Sequence, residues 1–275
     1  MKWAADGFCG MEVVMGKLRL GILGNGYLAG IVVEAFEKGL LPEYELVGIM
    51  GRTPEKTGAL AERAGCAACG SMGELLDRKP DYIAEAASVA AVRDYAVRIL
   101  EAKCGLVVLS IGAFADRGFY EQVREAAAAN GARVHIASGA VGGFDVLRTI
   151  ALMGQAKAGI ETHKGPKSLM NTPLFEESLL TGGEERHVFE GNAKEAIGLL
   201  PTKVNVAVAA SLAAADPERM RMDIYSVPGF VGDDHRITSE IDGVKAVVDI
   251  YSSTSAIAGW SLVAVLRNLV SPIVF

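Results

Sequence analysis

What the chain lacks narrows its roles first. No stretch reaches the roughly 20 consecutive apolar residues that a membrane-spanning helix needs. The best candidate, residues 256–265, is interrupted by Gly259 and Ser261 and is followed by Arg267, so it reads as a buried helix. Positive charge is also short: 27 Lys and Arg face 33 Asp and Glu, and the net charge of −6 leaves no basic stripe for nucleic-acid phosphates. Residues 1–16 hold one lysine and no continuous apolar core, which argues against a secretory leader and for an extension, with Met11 or Met15 as alternative starts. Cysteine is limited to Cys9, Cys66, Cys69 and Cys104. Only Cys66 and Cys69 are spaced as Cys-x-x-Cys, and without a second pair they read as small apolar residues of a short strand. No metal site is expected, and the cysteine usage suits a reducing, cytoplasmic setting. Internal repeats and low-complexity segments are absent.

Against these absences stands one run, Leu18-Arg19-Leu20-Gly21-Ile22-Leu23-Gly24-Asn25-Gly26-Tyr27-Leu28-Ala29-Gly30, in which an apolar strand breaks into close-set glycines before a helical pattern. Such a turn holds a pyrophosphate with backbone. Gly24 makes the tight turn, Gly26 lets the main chain approach, and the N–H groups near Tyr27 and Leu28 face the anion at the helix start. Ala29 takes the third glycine position, where alanine still permits close helix–strand packing.

Short apolar runs at 18–23, 45–50, 66–69, 82–86, 106–109 and 133–136 alternate with helical patterns, the signature of a parallel sheet covered on both faces. Ser71-x-x-Glu74 is a capping box, Asp116 caps a helix that Asn130-Gly131 ends, and Pro80 follows a helix that cannot continue. Beyond residue 143 the rhythm changes. We expect a helix to about 153, a strand at 158–164, a loop, a helix at 201–214, strands at 221–227, 236–241 and 246–251 with an Asp242-Gly243 hairpin turn, and a helix from 254 to 270. The fold class is α/β: a doubly wound, Rossmann-type parallel sheet at residues 1–138, with the helix of 252–275 packing back on it, and an α+β substrate-binding and dimerisation domain at 139–251.

The end of the second strand contacts the adenosine ribose in such folds, and there the chain has Gly51-Arg52-Thr53 with no carboxylate. Arg52 can pair with a 2′-phosphate and Thr53 can add a hydrogen bond, so the cofactor is expected to be NADP or NAD, with NADP favoured. Of the four histidines, His135 lies at an apolar strand end and His187 in a charged run. His163 precedes Lys164 in a polar bend, where the ammonium can hold a substrate carboxylate. His235 follows Asp233 and Asp234, carboxylates that would raise an imidazole pKa. The residues alone leave His163 and His235 open as the proton-transfer group.

Several longer motifs resemble the L-aspartate dehydrogenase family: Glu85-Ala86-Ala87-Ser88, Ser110-Ile111-Gly112-Ala113 with Asp116, Ser138-Gly139-Ala140-Val141-Gly142-Gly143, Thr162-His163-Lys164, residues 189–196, residues 201–207 with Asn205, and the Asp-His-x-Ile stretch at His235. The resemblance runs from about residue 18 to 269. It implies NAD(P)-dependent oxidation of L-aspartate to iminosuccinate, which water converts to oxaloacetate and ammonia, and the reverse reductive amination. It also implies His235 as acid/base with Lys164 beside it. Ala87, Ser88, Gly112, Ala113, Ala140 and Asn205 would then serve the cofactor, and Ser138, Gly139, His163, Lys164 and Asn205 the substrate. A homodimer is the expected assembly. The chain departs from the family at residues 251–255, where Tyr251 replaces the usual asparagine, and at Gly165-Pro166. A related imine reductase, a polyol dehydrogenase, or a non-catalytic nucleotide sensor are the alternative readings.

Overall fold

The protein is described here by a computed structural model covering residues 16–200 and 205–275. The expected starts at Met11 and Met15, Cys9, and the first four residues of the helix expected at 201–214 lie outside the described residues.

The first half alternates strand and helix: β1 (Leu18–Leu23), α1 (Tyr27–Glu37), β2 (Tyr44–Met50), α2 (Pro54–Ala64), β3 (Ala67–Cys69), α3 (Met72–Asp77), β4 (Tyr82–Glu85), α4 (Val89–Glu101), β5 (Gly105–Val108), α5 (Arg117–Asn130) and β6 (Val134–Ile136). The six strands form one sheet in the order β3-β2-β1-β4-β5-β6, every pair parallel. The chain reverses its direction of winding between β1 and β4, and a crevice opens there at the carboxyl ends of the strands. Local chemistry explains the helix ends. Ser71 Oγ accepts the Glu74 N–H at 3.2 Å, Asp116 Oδ1 accepts the Phe119 N–H at 3.1 Å, and Gly131 closes α5 at a left-handed φ of 65°.

The second half holds α6 (Phe144–Met153), β7 (Lys157–Lys164), α7 (Ser178–Thr181), β8 (Arg186–Asn192), α8 (Ala193–Leu199), α9 (Asn205–Ala214), β9 (Met220–Ser226), β10 (Asp233–Ile241) and β11 (Val244–Ser252), and the chain ends in α10 (Ala256–Val270). Its sheet runs β11-β10-β7-β9-β8. Helices α6, α8 and α9 pack on one face. β8 and α8 replace part of what the sequence reads as loop. β8 is an edge strand whose register slips between His187 and Phe189, so its apolar alternation breaks halfway. Helix α10 returns to the first sheet: Leu262, Val263 and Leu266 are buried in one cluster with Ile31, Val32, Leu20 and Ile49, and Tyr44 donates its hydroxyl to the Leu266 carbonyl at 2.7 Å. No described helix is long and apolar enough to cross a membrane.

Candidate functional site

The glycine turn leaves β1 at the crevice. Gly24 has φ 134°, and a Cβ there would overlap the Ala86 carbonyl, whose carbon would lie at 2.7 Å. Gly26 is different. It is the N-cap of α1 with extended φ of −93°, no side chain caps the helix, and a Cβ at Gly26 would meet nothing within 4 Å. The fold therefore needs glycine at 24 but has no need of it at 26, while the uncapped N-terminus of an 11-residue helix leaves donors and a partial positive charge for an anion. Ala29 is fully buried, as close helix–strand packing requires. Asn25 ties the turn to the next loop, donating from Nδ2 to the Thr53 carbonyl and Thr57 Oγ1, both at 2.9 Å. Arg52 is exposed at the end of β2 and makes no ion pair among the described residues. These features fit a dinucleotide.

Beside the turn, past Leu28, a cleft of about 740 Å³ lies between the loops of the first sheet and the second sheet. Its walls include Leu28, residues 86–90, Leu109, Ser110, Ser138, Gly139, Ala140, Thr162, Lys164, Asn205, Asp233 and His235. The antiparallel register of β10 on β7 sets His235 opposite Thr162 and Asp233 opposite Lys164. His235 is 5% exposed, and its Nδ1 lies 3.0 Å from Thr162 Oγ1. Lys164 Nζ is 3.1 Å from Asp233 Oδ1. This cleft thus brings an imidazole, a hydroxyl, an ammonium and a carboxylate onto one sheet face.

The electrostatics correct one expectation. Burial, helped by the nearby Lys164 charge, depresses the His235 pKa to about 4, against an upward pull from Asp233. Adjacent carboxylates do not win, because Asp234 sits one residue along the strand and belongs to the other face. His235 is neutral at pH 7 and ready to accept a proton.

His163 is the second correction. It alternates away from Thr162 and Lys164, so it leaves the cleft and stacks on Tyr225 at 4.7 Å, with His187 on the other face of that ring at 4.5 Å. His187 Nε2 lies 3.0 Å from Asp223 Oδ1, so it is paired rather than simply solvated. His135 is half-buried against Tyr82, with its pKa lowered by burial. The cysteine thiols of Cys66 and Cys104 are pushed by burial to about 11 and about 12, consistent with packing roles.

Other expected residues sit at the cleft with their backbone already engaged. Asn205 Oδ1 accepts the Gly112 N–H at 2.8 Å, and Ser261 Oγ accepts the Gly139 N–H at 3.0 Å. That second bond removes the Gly139 amide as a direct substrate donor. The Ala87 and Ser88 amides are bound to Glu85, and Ser88 Oγ caps α4 through the Ala91 N–H at 3.1 Å. Ala113 is fully buried and lies behind the wall rather than in it. Tyr251 is 58% exposed on the other sheet face, donating to the Val231 carbonyl at 3.0 Å, so the departure at this position does not touch the cleft. Thr162, Asp233, Ser261 and Glu85 were not singled out from sequence as site residues. The period-two pattern of β7 could have found Thr162, which shares a face with Lys164.

Comparison with known proteins agrees with this fold. Residues 145–269 match the family model described as aspartate dehydrogenase, C-terminal, and residues 24–137 match homoserine dehydrogenase, NAD binding domain. An L-aspartate dehydrogenase of Methanococcus maripaludis is 30% identical over 265 residues, covering 93% of this chain and 98% of the relative. One of Methanospirillum hungatei is 32% identical over 271 residues, covering 94% and 98%. The crystal structure of aspartate dehydrogenase from Thermotoga maritima superposes with a TM-score of 0.72 at 26% identity, covering 94% of this chain and all of that one.

Proposed function

We infer the reaction from one premise, that the chain belongs to the L-aspartate dehydrogenase family. It is an NAD(P)-dependent amino-acid dehydrogenase that converts L-aspartate to iminosuccinate, then oxaloacetate and ammonia, and runs in reverse as reductive amination. The observation that carries the site assignment is the placement of His235 beside Thr162 and Lys164 in the cleft that Leu28 and residues 86–90 of the first sheet's loops also line.

In this reading a bound nicotinamide supplies the acceptor for the hydride leaving substrate Cα. The protein does the rest. Neutral His235 accepts the proton lost by the amine at Nε2, while Thr162 Oγ1 accepts from Nδ1–H and holds the ring. The imidazolium returns that proton to the imine nitrogen, and the neutral imidazole so regenerated then deprotonates the water that adds to the iminium carbon. Lys164 anchors one substrate carboxylate as a point charge, with Asp233 keeping the ammonium in place until substrate arrives. The Ser138 and Ala140 region serves the second carboxylate, and Asn205, fixed by its bond to Gly112, orients the nicotinamide end. Following absorbance at 340 nm with aspartate and NADP or NAD tests the reaction. Turnover of a sugar alcohol with none of aspartate would overturn it.

The absence of a carboxylate at residues 51–53, together with the unpaired Arg52, supports a preference for NADP. Arg52→Ala should weaken NADP binding about tenfold, the loss of one charge-assisted contact, and leave NAD unchanged. An unaltered NADP constant removes this role. The assembly follows the same reading: helices cover one face of the second sheet, and the other, with Val247 and Tyr251 exposed, is open to a second copy. Sedimentation at the mass of a single chain would refute the homodimer.

A further inference from the structure

Glu85 ends β4 directly behind the cleft wall and is fully buried. Its Oε1 accepts the Ala87 N–H at 2.8 Å, the Ser88 N–H at 3.0 Å and the Ser110 hydroxyl at 2.8 Å. Its Oε2 accepts the Leu109 N–H at 3.1 Å and the Ser110 N–H at 2.9 Å. Two separate strand-to-helix loops are thus stapled to one carboxylate, and Ala87, Ser88, Leu109 and Ser110 all line the cleft. No lysine or arginine pairs with Glu85 among the described residues.

The donors define its charge. Four of the five partners are N–H groups, which can only donate, so a carboxyl proton would have nowhere to go but the Ser110 hydroxyl. Burial pushes the pKa up, while the N–H groups of Ser110, Ala87 and Leu109 and the Ser110 hydroxyl pull it down, with burial the larger influence. A loop staple alone does not require a charge, since neutral groups could pair the same amides. A buried anion without a counter-ion is costly and acts at long range through the low-dielectric interior.

We propose that Glu85 is a fixed negative charge that biases the cleft toward the oxidised coenzyme, whose nicotinamide ring is cationic, over the neutral-ring reduced form. The inference rests on the coenzyme reading given above. Its consequence is that the reduced coenzyme is a stronger hydride donor when bound than when free, so the electrostatics of the cleft favour reductive amination.

The test compares the dissociation constants of NADP+ and NADPH, by calorimetry or fluorescence, in the wild type, Glu85→Gln and Glu85→Asp. Gln keeps the size and removes the charge, so the ratio of oxidised to reduced constants should rise about tenfold, the scale of one charge acting over roughly 12 Å at an effective dielectric near 20. Asp keeps the charge but shortens the reach, so both constants should weaken while their ratio holds within about twofold. A ratio that stays put in Gln, or moves equally in Asp, overturns the proposal and leaves a structural staple. Should Glu85→Gln not fold, Ser110→Ala carries the test. With one donor lost the carboxyl protonates at higher pH than in the wild type, so on acidification the ratio should rise earlier in Ser110→Ala than in the wild type, and superimposable pH profiles overturn the inference. If the wild type binds neither coenzyme form, the parent reading fails instead, which is a distinct result.

Discussion

Replacing His235 by alanine is expected to lower kcat by about 10²–10⁴-fold, the usual contribution of a positioned acid/base, while coenzyme affinity stays within about twofold of wild type. The split matters because His235 is buried, and a simple folding defect would take both properties down together. The pH dependence sharpens the expectation. With its pKa depressed to about 4, the imidazole of the free enzyme stays neutral through the mildly acidic range, so the acid limb of kcat/KM should fall well below pH 6.5. In the complex, two substrate carboxylates favour imidazolium, and the corresponding limb of kcat should lie higher. An acid limb of kcat/KM near pH 6.5 would mean a different, exposed base. Stability carries the same signature. A histidine whose pKa is lower folded than unfolded costs nothing above about pH 6.5 and destabilises the fold as pH drops from there toward about 4. Thermal unfolding of His235→Ala should lose the part of that acid sensitivity due to this residue.

Gly26→Val should weaken coenzyme binding at least about 100-fold, about 2.7 kcal/mol, with Tm nearly unchanged. Gly24→Ala should reduce both. The contrast follows from what surrounds each missing side chain. At Gly24 the φ of 134° and the Ala86 carbonyl leave no room for a Cβ, so the fold itself pays, by about 1–3 kcal/mol for the forced conformation alone. At Gly26 the backbone is ordinary and the space is empty of protein, so a side chain collides only with whatever the helix N-terminus holds. Full coenzyme affinity in Gly26→Val, measured beside an unchanged melting curve, would place the dinucleotide elsewhere.

The parallel sheet, its glycine turn and the capped helices were legible in the chain because each depends on local rules: apolar runs of strand length, helix-period patterns and turn residues at fixed offsets. Arg52 and Lys164 could be selected because their residue types sit at strand ends, and Asn205 because its motif resembles the family's. β8 was hidden because a bulged edge strand does not keep a two-residue alternation. The choice between His163 and His235 was out of reach of composition, since both lie near charged residues in polar stretches. Strand pairing separates the two in space: the register of β10 on β7 turns His235, Thr162 and Lys164 to one face, and a shift of a single residue puts His163 on the other. The imidazole's low pKa and the buried charge of Glu85 are likewise products of assembly. Burial and the convergence of donors from loops 20 or more residues apart arise only once both sheets and α9 are packed, because desolvation is a property of the folded surroundings and not of any neighbour along the chain.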